Sequence, residues 1–354
     1  MNASGGFPFG HLVLWSPHHN LLVVMIHFYH QSEGKLARFD SAEQAFASLA
    51  ELVWVDMVYP TAEEEALLEQ ALAIQIPTRE DMNEIEMSSR LYDEAGALFL
   101  TANLMSLPNG RDPISAPVTF VLAEGRLVTV RYHAPKPFQT FVELSMKQPM
   151  GCSNGHAVLV ALFETIVDRL ADILESASHG LEDISKSLFQ FGGTKRNPKL
   201  AMVLEQIGRA EDLNARVRDS LASIDRLIGF VLQIAPNGKA DAKTDAKSDA
   251  RGRVKVLGRD LRSLADYAQV QGEKIIFLLD ATLGMINIEQ NKILGLFSIV
   301  AFVFLPPTLI ASVYGMNFDV MPELHSVWGY PLALLAMVIS AVAPYIWFKR
   351  RGWL

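Results

Sequence analysis

Residues 291–317 have the sequence NKILGLFSIVAFVFLPPTLIASVYGMN, and the architecture expected for the whole chain follows from this stretch. From Ile293 to Val313 it runs for 21 residues without a charged side chain. A second uncharged run, PLALLAMVISAVAPYIWF, covers the 18 residues Pro331–Phe348. About 20 apolar residues cross a bilayer as a helix, so we expect both runs to span a membrane. Two buried core helices are the weaker alternative, because almost no chain follows them to cover them.

Basic residues flank the two runs on one side only. Lys292 stands directly before the first run, and Lys349, Arg350 and Arg351 follow the second. The loop that connects the runs contains no Lys or Arg. Because basic residues concentrate on the cytoplasmic side of a membrane, we expect an in–out–in hairpin with the N- and C-termini both in the cytoplasm.

The composition excludes several classes of protein. The 354 residues carry a formal net charge of −8, which is unlike a general nucleic-acid binder, so we expect no nucleic-acid partner. Cys152 is the only cysteine, which excludes an intrachain disulfide framework and a Cys-rich zinc site. The chain has no G-x-S-x-G, Walker A, H-E-x-x-H or G-x-G-x-x-G motif, so we do not expect an enzyme.

Residues 25–145 are predicted to form a mixed α/β domain. The segment LVWVDMV at residues 52–58 is typical of a strand. Thr61 and Thr78 are each followed three residues later by an acid, which is the spacing of a capping box at a helix start. Further strands are expected at 97–105, 117–122 and 126–132, the last two joined as a hairpin.

Residues 1–24 are predicted to be an extension, with Met25 as an alternative start of the protein. Histidines are frequent in this extension and just after it, at His11, His18, His19, His27 and His30. Metal binding by these histidines is the weaker of the two hypotheses.

Beyond the α/β domain, the hydrophobic period changes to that of long helices. The stretch PNGKADAKTDAKSD at 236–249 has no apolar side chain larger than Ala, which favours a solvated hinge between two antiparallel helices. After it, residues 254–313 are predicted to form one helical rod, roughly 90 Å long at 1.5 Å per residue.

The first apolar run carries few polar side chains, and they fall on one side of the helix. Ser298, Thr308 and Ser312, with Asn291 just before the run, lie within an arc of roughly 100°. Such a stripe faces protein or water rather than lipid. Close helix–helix contact through small residues is an equally good explanation of the stripe alone. Two helices cannot enclose a lumen, so a transport role requires several copies of the chain around an axis.

The outer loop carries the motifs of a known family. Tyr314-Gly315-Met316-Asn317 is followed by Met-Pro-Glu-Leu at 321–324, and the run before it contains Phe-Leu-Pro-Pro-Thr at 304–308. Together with MINIEQNK at 285–292 and the terminal FKRRGWL at 348–354, these segments resemble the CorA family of magnesium and cobalt transporters. The resemblance is nearly continuous from residue 285 to the end, and weaker at 53–60 and 77–91.

The resemblance implies an α+β cytoplasmic domain, a long helical stalk and a C-terminal two-helix transmembrane hairpin, assembled as a homopentameric funnel in the inner (plasma) membrane. It implies Mg²⁺ as the transported and regulatory ion, with Co²⁺ as a further substrate. The expected segments are an extension at 1–24, the α/β domain at 25–145, helices at 146–253 with a hinge at 236–253, the stalk at 254–290, the pore helix at 291–313, the outer loop at 314–329, the second span at 330–348 and a basic tail at 349–354.

The resemblance also assigns roles to residues of the pore. The expected selectivity filter is Tyr314, Gly315, Met316 and Asn317, with Asp319 and Glu323 at the outer mouth. The expected pore-lining residues are Asn291, Leu294, Phe297, Ser298, Ala301, Leu305, Thr308 and Ser312. Among these, Leu294 and Phe297 are placed as a bulky apolar gate in the cytoplasmic half.

The resemblance further implies a regulatory Mg²⁺ site between cytoplasmic domains. Glu80 and Asp81 match one side of it, and the stalk supplies Asp260 as first choice and Asp266 as second choice for the other side. The alternative is that these acids are ordinary solvated residues, with Asp81 acting only as the capping partner of Thr78.

Two other functions stay open from the sequence alone. One is a zinc or nickel transporter on the same scaffold, although the absence of cysteine and clustered histidine in the pore favours a hard cation. The other is a membrane-anchored scaffold protein that does not transport.

Overall fold

The computed structural model describes residues 25–108, 112–189, 200–234, 245–316, 321 and 326–351. The predicted extension at 1–24, the first part of the predicted hinge, and the filter and mouth residues Asn317, Asp319 and Glu323 lie outside the described residues.

The N-terminal part contains one seven-stranded sheet. Its strands are β1 (Met25–Ser32), β2 (Lys35–Arg38), β3 (Leu52–Val58), β4 (Leu91–Glu94), β5 (Ala97–Ser106), β6 (Ile114–Ala123) and β7 (Arg126–Arg131). They are arranged in the order β2-β1-β3-β7-β6-β5-β4. All neighbours are antiparallel except β3 and β7, which are parallel and pair Trp54–Val58 with Leu127–Arg131. The predicted strand at 52–58 and the predicted hairpin are therefore confirmed.

The helices alternate with and follow the strands. They are α1 (Ala42–Ala47), α2 (Ala62–Leu72), α3 (Arg79–Met82), α4 (Met87–Arg90), α5 (Lys136–Lys147), α6 (Gly155–Phe189), α7 (Leu200–Ile234), α8 (Asp245–Tyr314) and α9 (Gly329–Arg350). Both predicted capping boxes are present. The side chains of Thr61 and Thr78 accept from the backbone N–H groups of Glu64 and Asp81, and the carboxylates of Glu64 and Asp81 accept from the backbone N–H groups of the two threonines.

Helices cover both faces of the sheet because strand side chains alternate between the faces. On one face, Trp54 of β3 stacks on Tyr29 at 4.6 Å between ring centroids and meets Phe141 of α5 edge-on at 5.5 Å. On the other face, Val55 packs in a cluster with Leu68 of α2 and Met82 of α3. The strand LVWVDMV is apolar on both sides because it lies inside this three-layer arrangement.

Gly155 sets how closely α6 begins beside the sheet. A Cβ atom at this position would lie 2.3 Å from the backbone carbon of Arg126, a distance that no side chain tolerates. The Gly155 N–H instead donates to the carbonyl of Gly125 in the β6–β7 turn at 2.6 Å. The start of α6 is thus hydrogen-bonded directly to the β6–β7 hairpin.

The long helices divide the chain into two compact units. The first comprises residues 1–183 and 208–275, and the second comprises 184–207 and 276–354. In the first unit, the buried amides of Asn214 and Gln271 donate to the carbonyls of Ala268 (3.1 Å) and Leu174 (2.7 Å), respectively. These bonds tie α7 to α8 and α8 to α6. In the second unit, Phe189 of α6 stacks on Phe277 of α8.

Helix α8 differs from the sequence prediction at its start. It begins at Asp245, so the last part of the segment predicted as a hinge, residues 245–253, is helical. Alanine recurs in this stretch, and Ala is the strongest helix former, which explains why the helix extends further than the low-complexity composition suggests. Helix α5 and strands β1 and β2 are further elements that the sequence analysis did not identify.

A buried ion pair links the two parallel strands at the centre of the sheet. Asp56 of β3 and Arg131 of β7 are 2% and 7% exposed, and two N–H groups of Arg131 donate to the carboxylate at 3.0 and 2.8 Å. Thr129 donates to the same carboxylate at 2.8 Å and accepts from the indole of Trp54. A third Arg131 donor reaches the carbonyl of His133. Both charges are therefore fully compensated.

We expect Asp56→Asn to lower the free energy of unfolding by about 3–5 kcal/mol, because it leaves Arg131 buried without a counter-charge. Thermal or denaturant unfolding of the purified protein measures the loss. The control is Asp225→Asn, which removes one partner of the largely exposed pair with Arg262 and should cost about 1 kcal/mol or less. Equal losses in the two variants would contradict the central role of the buried pair.

Candidate functional site

Two helices of the second unit are long and apolar enough to cross a membrane. One lies within α8 and the other is α9. In an apolar stretch of 18 residues in each helix, 0% and 6% of the stretch is buried, respectively. Both helices expose large apolar side chains, for example Phe304 (65% exposed) in α8 and Leu332 (59% exposed) in α9. So much exposed apolar surface is incompatible with water and fits lipid or further copies of the chain. Both predicted spans are thus present as helices.

The flanks of these helices carry the side chains of a membrane interface. Trp328 and Tyr330 are 71% and 76% exposed at the start of α9. At its other end, the guanidinium of Arg351 lies 5.5 Å from the ring centre of Trp347. Aromatic and basic residues favour the headgroup region, so α9 has interface anchors at both ends.

One face of the membrane part of α8 is already partly covered within a single chain. Its half-buried residues are Ile299, Val303, Pro306, Pro307 and Ile310. They recur at helical spacing and form one stripe. The ring of Phe302 lies 5.7 Å from that of Phe348 in α9, beside this stripe.

The predicted pore-lining residues lie on the other side of α8. At 100° per residue, their centre is roughly 160° from the centre of the half-buried stripe. All eight are exposed in the single chain: Asn291, Leu294, Phe297, Ser298, Ala301, Leu305, Thr308 and Ser312. The structure therefore brings them onto one open face that points away from the covered one.

Two hydroxyl groups on the open face are fixed by the helix itself. Ser298 donates to the carbonyl of Leu294 at 2.9 Å, and Thr308 donates to that of Phe304 at 2.7 Å. Because each hydroxyl hydrogen is used in this way, what the side chain offers outward is oxygen lone pairs. Such groups accept hydrogen bonds from water, including the water shell of a cation.

Pro306 and Pro307 lie inside α8 without ending it. Each lacks an N–H, so the carbonyls of Phe302 and Val303 have no donor four residues further along the helix. In hydrocarbon a carbonyl without a donor is costly, so these carbonyls favour a neighbouring helix or water on their side.

The N-terminal half of the open face carries bulky apolar side chains. Leu294 and Phe297 are 61% and 67% exposed, about one turn beyond Asn291. At the other end, α8 stops at Tyr314, where the N–H of Gly315 still donates to Ala311 at 2.9 Å. Gly315 and Met316 form the turn out of the helix. Among the predicted filter residues, the structure thus places Tyr314, Gly315 and Met316.

The four acids predicted to bind a regulatory ion are all exposed in the first unit. Asp81 closes the capping box of α3, with one carboxylate oxygen accepting from the backbone and the hydroxyl of Thr78 at 2.9 and 2.7 Å. Asp260 lies near α6. Burial raises the pKa of Asp168 in that helix, and the charges of Glu164, Asp172 and Asp260 raise it further. Within the part of one chain that the structure describes, no three Asp, Glu, His or Cys side chains form a metal-binding group.

A cavity on the sheet was missed by the sequence analysis. It is lined by residues of four strands and of α5, and its charged residues include Arg38, Asp56, Arg131 and Lys136. These residues are distant in the sequence, and each stands alone among apolar or turn residues. The strand pairing alone brings them together, so no local motif marks the site.

Comparisons with known proteins agree with the fold and with the resemblance. A model of the CorA-like Mg²⁺ transporter protein family matches residues 50–350. The magnesium transport protein CorA of Haemophilus influenzae is 33% identical over 330 residues, covering 93% of this chain and 100% of the relative. That of Wolinella succinogenes is 34% identical over 340 residues with the same coverage.

A solved structure has the same fold. The CorA magnesium transporter from Methanocaldococcus jannaschii matches with a TM-score of 0.69 over 94% of this chain and 100% of that chain, at 19% identity. At this identity the match shows that the two chains share an architecture.

Proposed function

Since the chain belongs to the CorA-like Mg²⁺ transporter family, we propose that it carries Mg²⁺ across the inner membrane as a homopentamer, with Co²⁺ as a further substrate. The observation that supports this most is the open face of α8, which carries the polar residues and lies opposite the half-buried stripe. Copies of this face arranged around an axis enclose a pore that a single hairpin cannot provide. Both chain ends are cytoplasmic in this arrangement, as the basic flanks favour.

The ion passes the pore with its water shell largely in place. Mg²⁺ dehydrates reluctantly, so a filter that stripped it would impose a large barrier. The outward lone pairs of Ser298 and Thr308 accept hydrogen bonds from such a shell. Rings of Asn317 amide oxygens and Gly315 carbonyls supply the same chemistry at the outer end, where Asp319 and Glu323 concentrate cations.

Metal-dependent growth tests the activity. The chain, expressed in a bacterium that lacks its own magnesium uptake, should restore growth at low Mg²⁺, and uptake of Mg²⁺ into the cells should be saturable. If uptake follows Zn²⁺ or Ni²⁺ instead, the chain is a transporter of another metal on this scaffold. If the protein reaches the membrane and no divalent metal enters, it is a scaffold that does not transport.

We expect Asn317→Ala to abolish Mg²⁺ uptake while the pentamer still assembles, because the outer ring of amide oxygens is lost. Uptake is measured in cells, and assembly by size-exclusion chromatography of the purified protein. Val327→Ala is the control in the same loop, where the side chain is 91% exposed, and should leave uptake unchanged. Wild-type uptake by Asn317→Ala would refute the filter assignment. A variant that keeps uptake but loses thermal stability would indicate that Asn317 only caps the helix end.

We expect Leu294→Ser to raise the leak of Mg²⁺ under conditions that close the channel. A ring of Leu294 and Phe297 side chains blocks ions by excluding water, and a hydroxyl at this ring lets water in. Leu296→Ser is a matched control, since Leu296 is 57% exposed on the same helix but points roughly 160° away. Uptake traces with and without cytoplasmic Mg²⁺ measure the leak. An unchanged trace for Leu294→Ser places the gate elsewhere.

We further propose that cytoplasmic Mg²⁺ closes the channel by bridging Asp81 of one subunit and Asp260 of the next, with Glu80 and Asp266 nearby. Carboxylates that face each other across an interface repel, and a divalent cation turns this repulsion into attraction. The absence of a complete ligand set within the described part of one chain is consistent with a site that two subunits share.

We expect Asp81→Asn and Asp260→Asn each to abolish the protection that Mg²⁺ gives the cytoplasmic domain against protease. Asn at position 81 keeps an oxygen for the capping box, so α3 stays intact and only the charge is lost. The substitutions Asp81→Lys and Asp260→Lys should also abolish the Mg²⁺-dependent protection, because an ammonium group cannot coordinate the ion. Glu84→Gln, a neighbouring exposed acid, is the control. Protection that persists in both Asn variants would refute the site.

A further inference from the structure

The sheet of the first unit contains a cavity of about 290 Å³ that the transport mechanism does not use. It opens beside β1, β2, β3 and β7, and the start of α5 forms its other wall. Its lining combines charged side chains with the rings of Tyr29 and Phe138. Binding sites for small molecules begin at about this volume and join apolar walls to a few convergent polar groups.

Strand register brings the polar groups to one place. His27 of β1 pairs with Asp56 of β3, which in turn pairs with Thr129 of β7. Tyr29 pairs with Arg38 of β2. Because alternate residues of a strand share a face, the side chains of these residues all project on the face that α5 covers.

One of the two carboxylates in the cavity is paired with a cation. Asp56 accepts two N–H groups of Arg131, whereas Glu143 accepts at 2.9 Å from the neutral amide of Gln139 and keeps its charge. Arg131 uses three of its five donors on protein acceptors, which leaves two N–H groups. Arg131 is only 7% exposed and its charge is balanced by that of Asp56, so it offers the cavity hydrogen-bond donors rather than net charge.

Two further cations at the opening have no counter-ion. Arg38 and Lys136 are exposed, and neither forms an ion pair with any residue that the structure describes. Lys136 is also the first residue of α5, and its N-cap, Pro135, makes no side-chain hydrogen bond. The positive end of this helix therefore adds to the charge of the two side chains.

The titratable groups deeper in the cavity add no negative charge. Burial, and next the charge of Arg38, lowers the pKa of His27, so the imidazole is neutral at neutral pH. Burial, and next the charge of Asp56, raises the pKa of Tyr29 to about 12, so the phenol keeps its proton. With Asp56 and Arg131 paired, Arg38 and Lys136 outweigh the single charge of Glu143, so the net charge at the cavity is positive.

We propose that this cavity binds a small organic anion, with a carboxylate or phosphate head group between Arg38 and Lys136 and a compact apolar body against Phe138 and Val142. Arginine and lysine donate charge-assisted hydrogen bonds to either head group. The volume restricts the body to about the size of one ring. The proposal does not depend on transport, since it concerns binding to the first unit alone.

Isothermal titration of the full chain in detergent micelles tests the proposal with benzoate and phenyl phosphate. Benzyl alcohol has a similar ring without charge and is the ligand control. We expect at least one of the two anions to bind once per chain and more tightly than the alcohol, and the tighter anion identifies the preferred head group. Binding should weaken as salt is raised, because the two outer cations are exposed.

The double variant Arg38→Gln/Lys136→Gln should weaken binding at least about tenfold, which corresponds to about 1.4 kcal/mol. Both side chains are exposed, so the fold is retained, and a thermal melt verifies this. Lys147→Gln, an exposed lysine in the last turn of α5, is the matched control and should bind as the wild type does. The proposal fails if neither anion binds at millimolar concentration, if the double variant binds equally well, or if benzyl alcohol binds as tightly as the anions.

Discussion

Hydrocarbon offers no hydrogen-bond partners, and this constraint governs the functional half of the molecule. Every backbone group of residues 293–313 has to be satisfied within the helix or by a neighbour, so the segment is helical whatever its local propensity. The same constraint acts on the side chains. Ser298 and Thr308 return their hydroxyl hydrogens to the backbone, and the covered stripe is apolar. Polar groups are therefore confined to one face, and that face needs water or another subunit.

The sequence predicted those parts of the fold in which neighbouring residues determine the outcome. The two spans, strand β3 and the two capping boxes each depend on residues within one segment, and all were identified. Helix α5 carries a local helical pattern, with Phe138, Phe141 and Val142 at i, i+3 and i+4, which the sequence analysis did not use. The pair Asp56–Arg131 depends on contact between distant segments. Asp56 inside LVWVDMV looks like an interruption of an apolar strand until β7 brings its partner, 75 residues away, to the same face.

The candidate site divides in the same way. The helical period alone places Asn291, Ser298, Thr308 and Ser312 on one face of α8, but their assignment to a pore came from the family resemblance. Asn317 of the proposed filter and the acids of the proposed regulatory site could be named only through the family resemblance. Their arrangement requires several subunits, and one chain's sequence has no periodicity that reports contacts between copies. The cavity beside β2 had no local signal at all.

The parallel pairing of β3 with β7 has a consequence for biosynthesis. The central pair of the sheet cannot form until residue 131 has been made, and the first unit is complete only at residue 275. The first apolar run begins only at Ile293, which is 162 residues after the sheet is complete. At ribosomal speeds of about 5–20 residues per second, this interval lasts roughly 8–30 s. The sheet thus has ample time to fold before the ribosome presents the first of the two apolar helices.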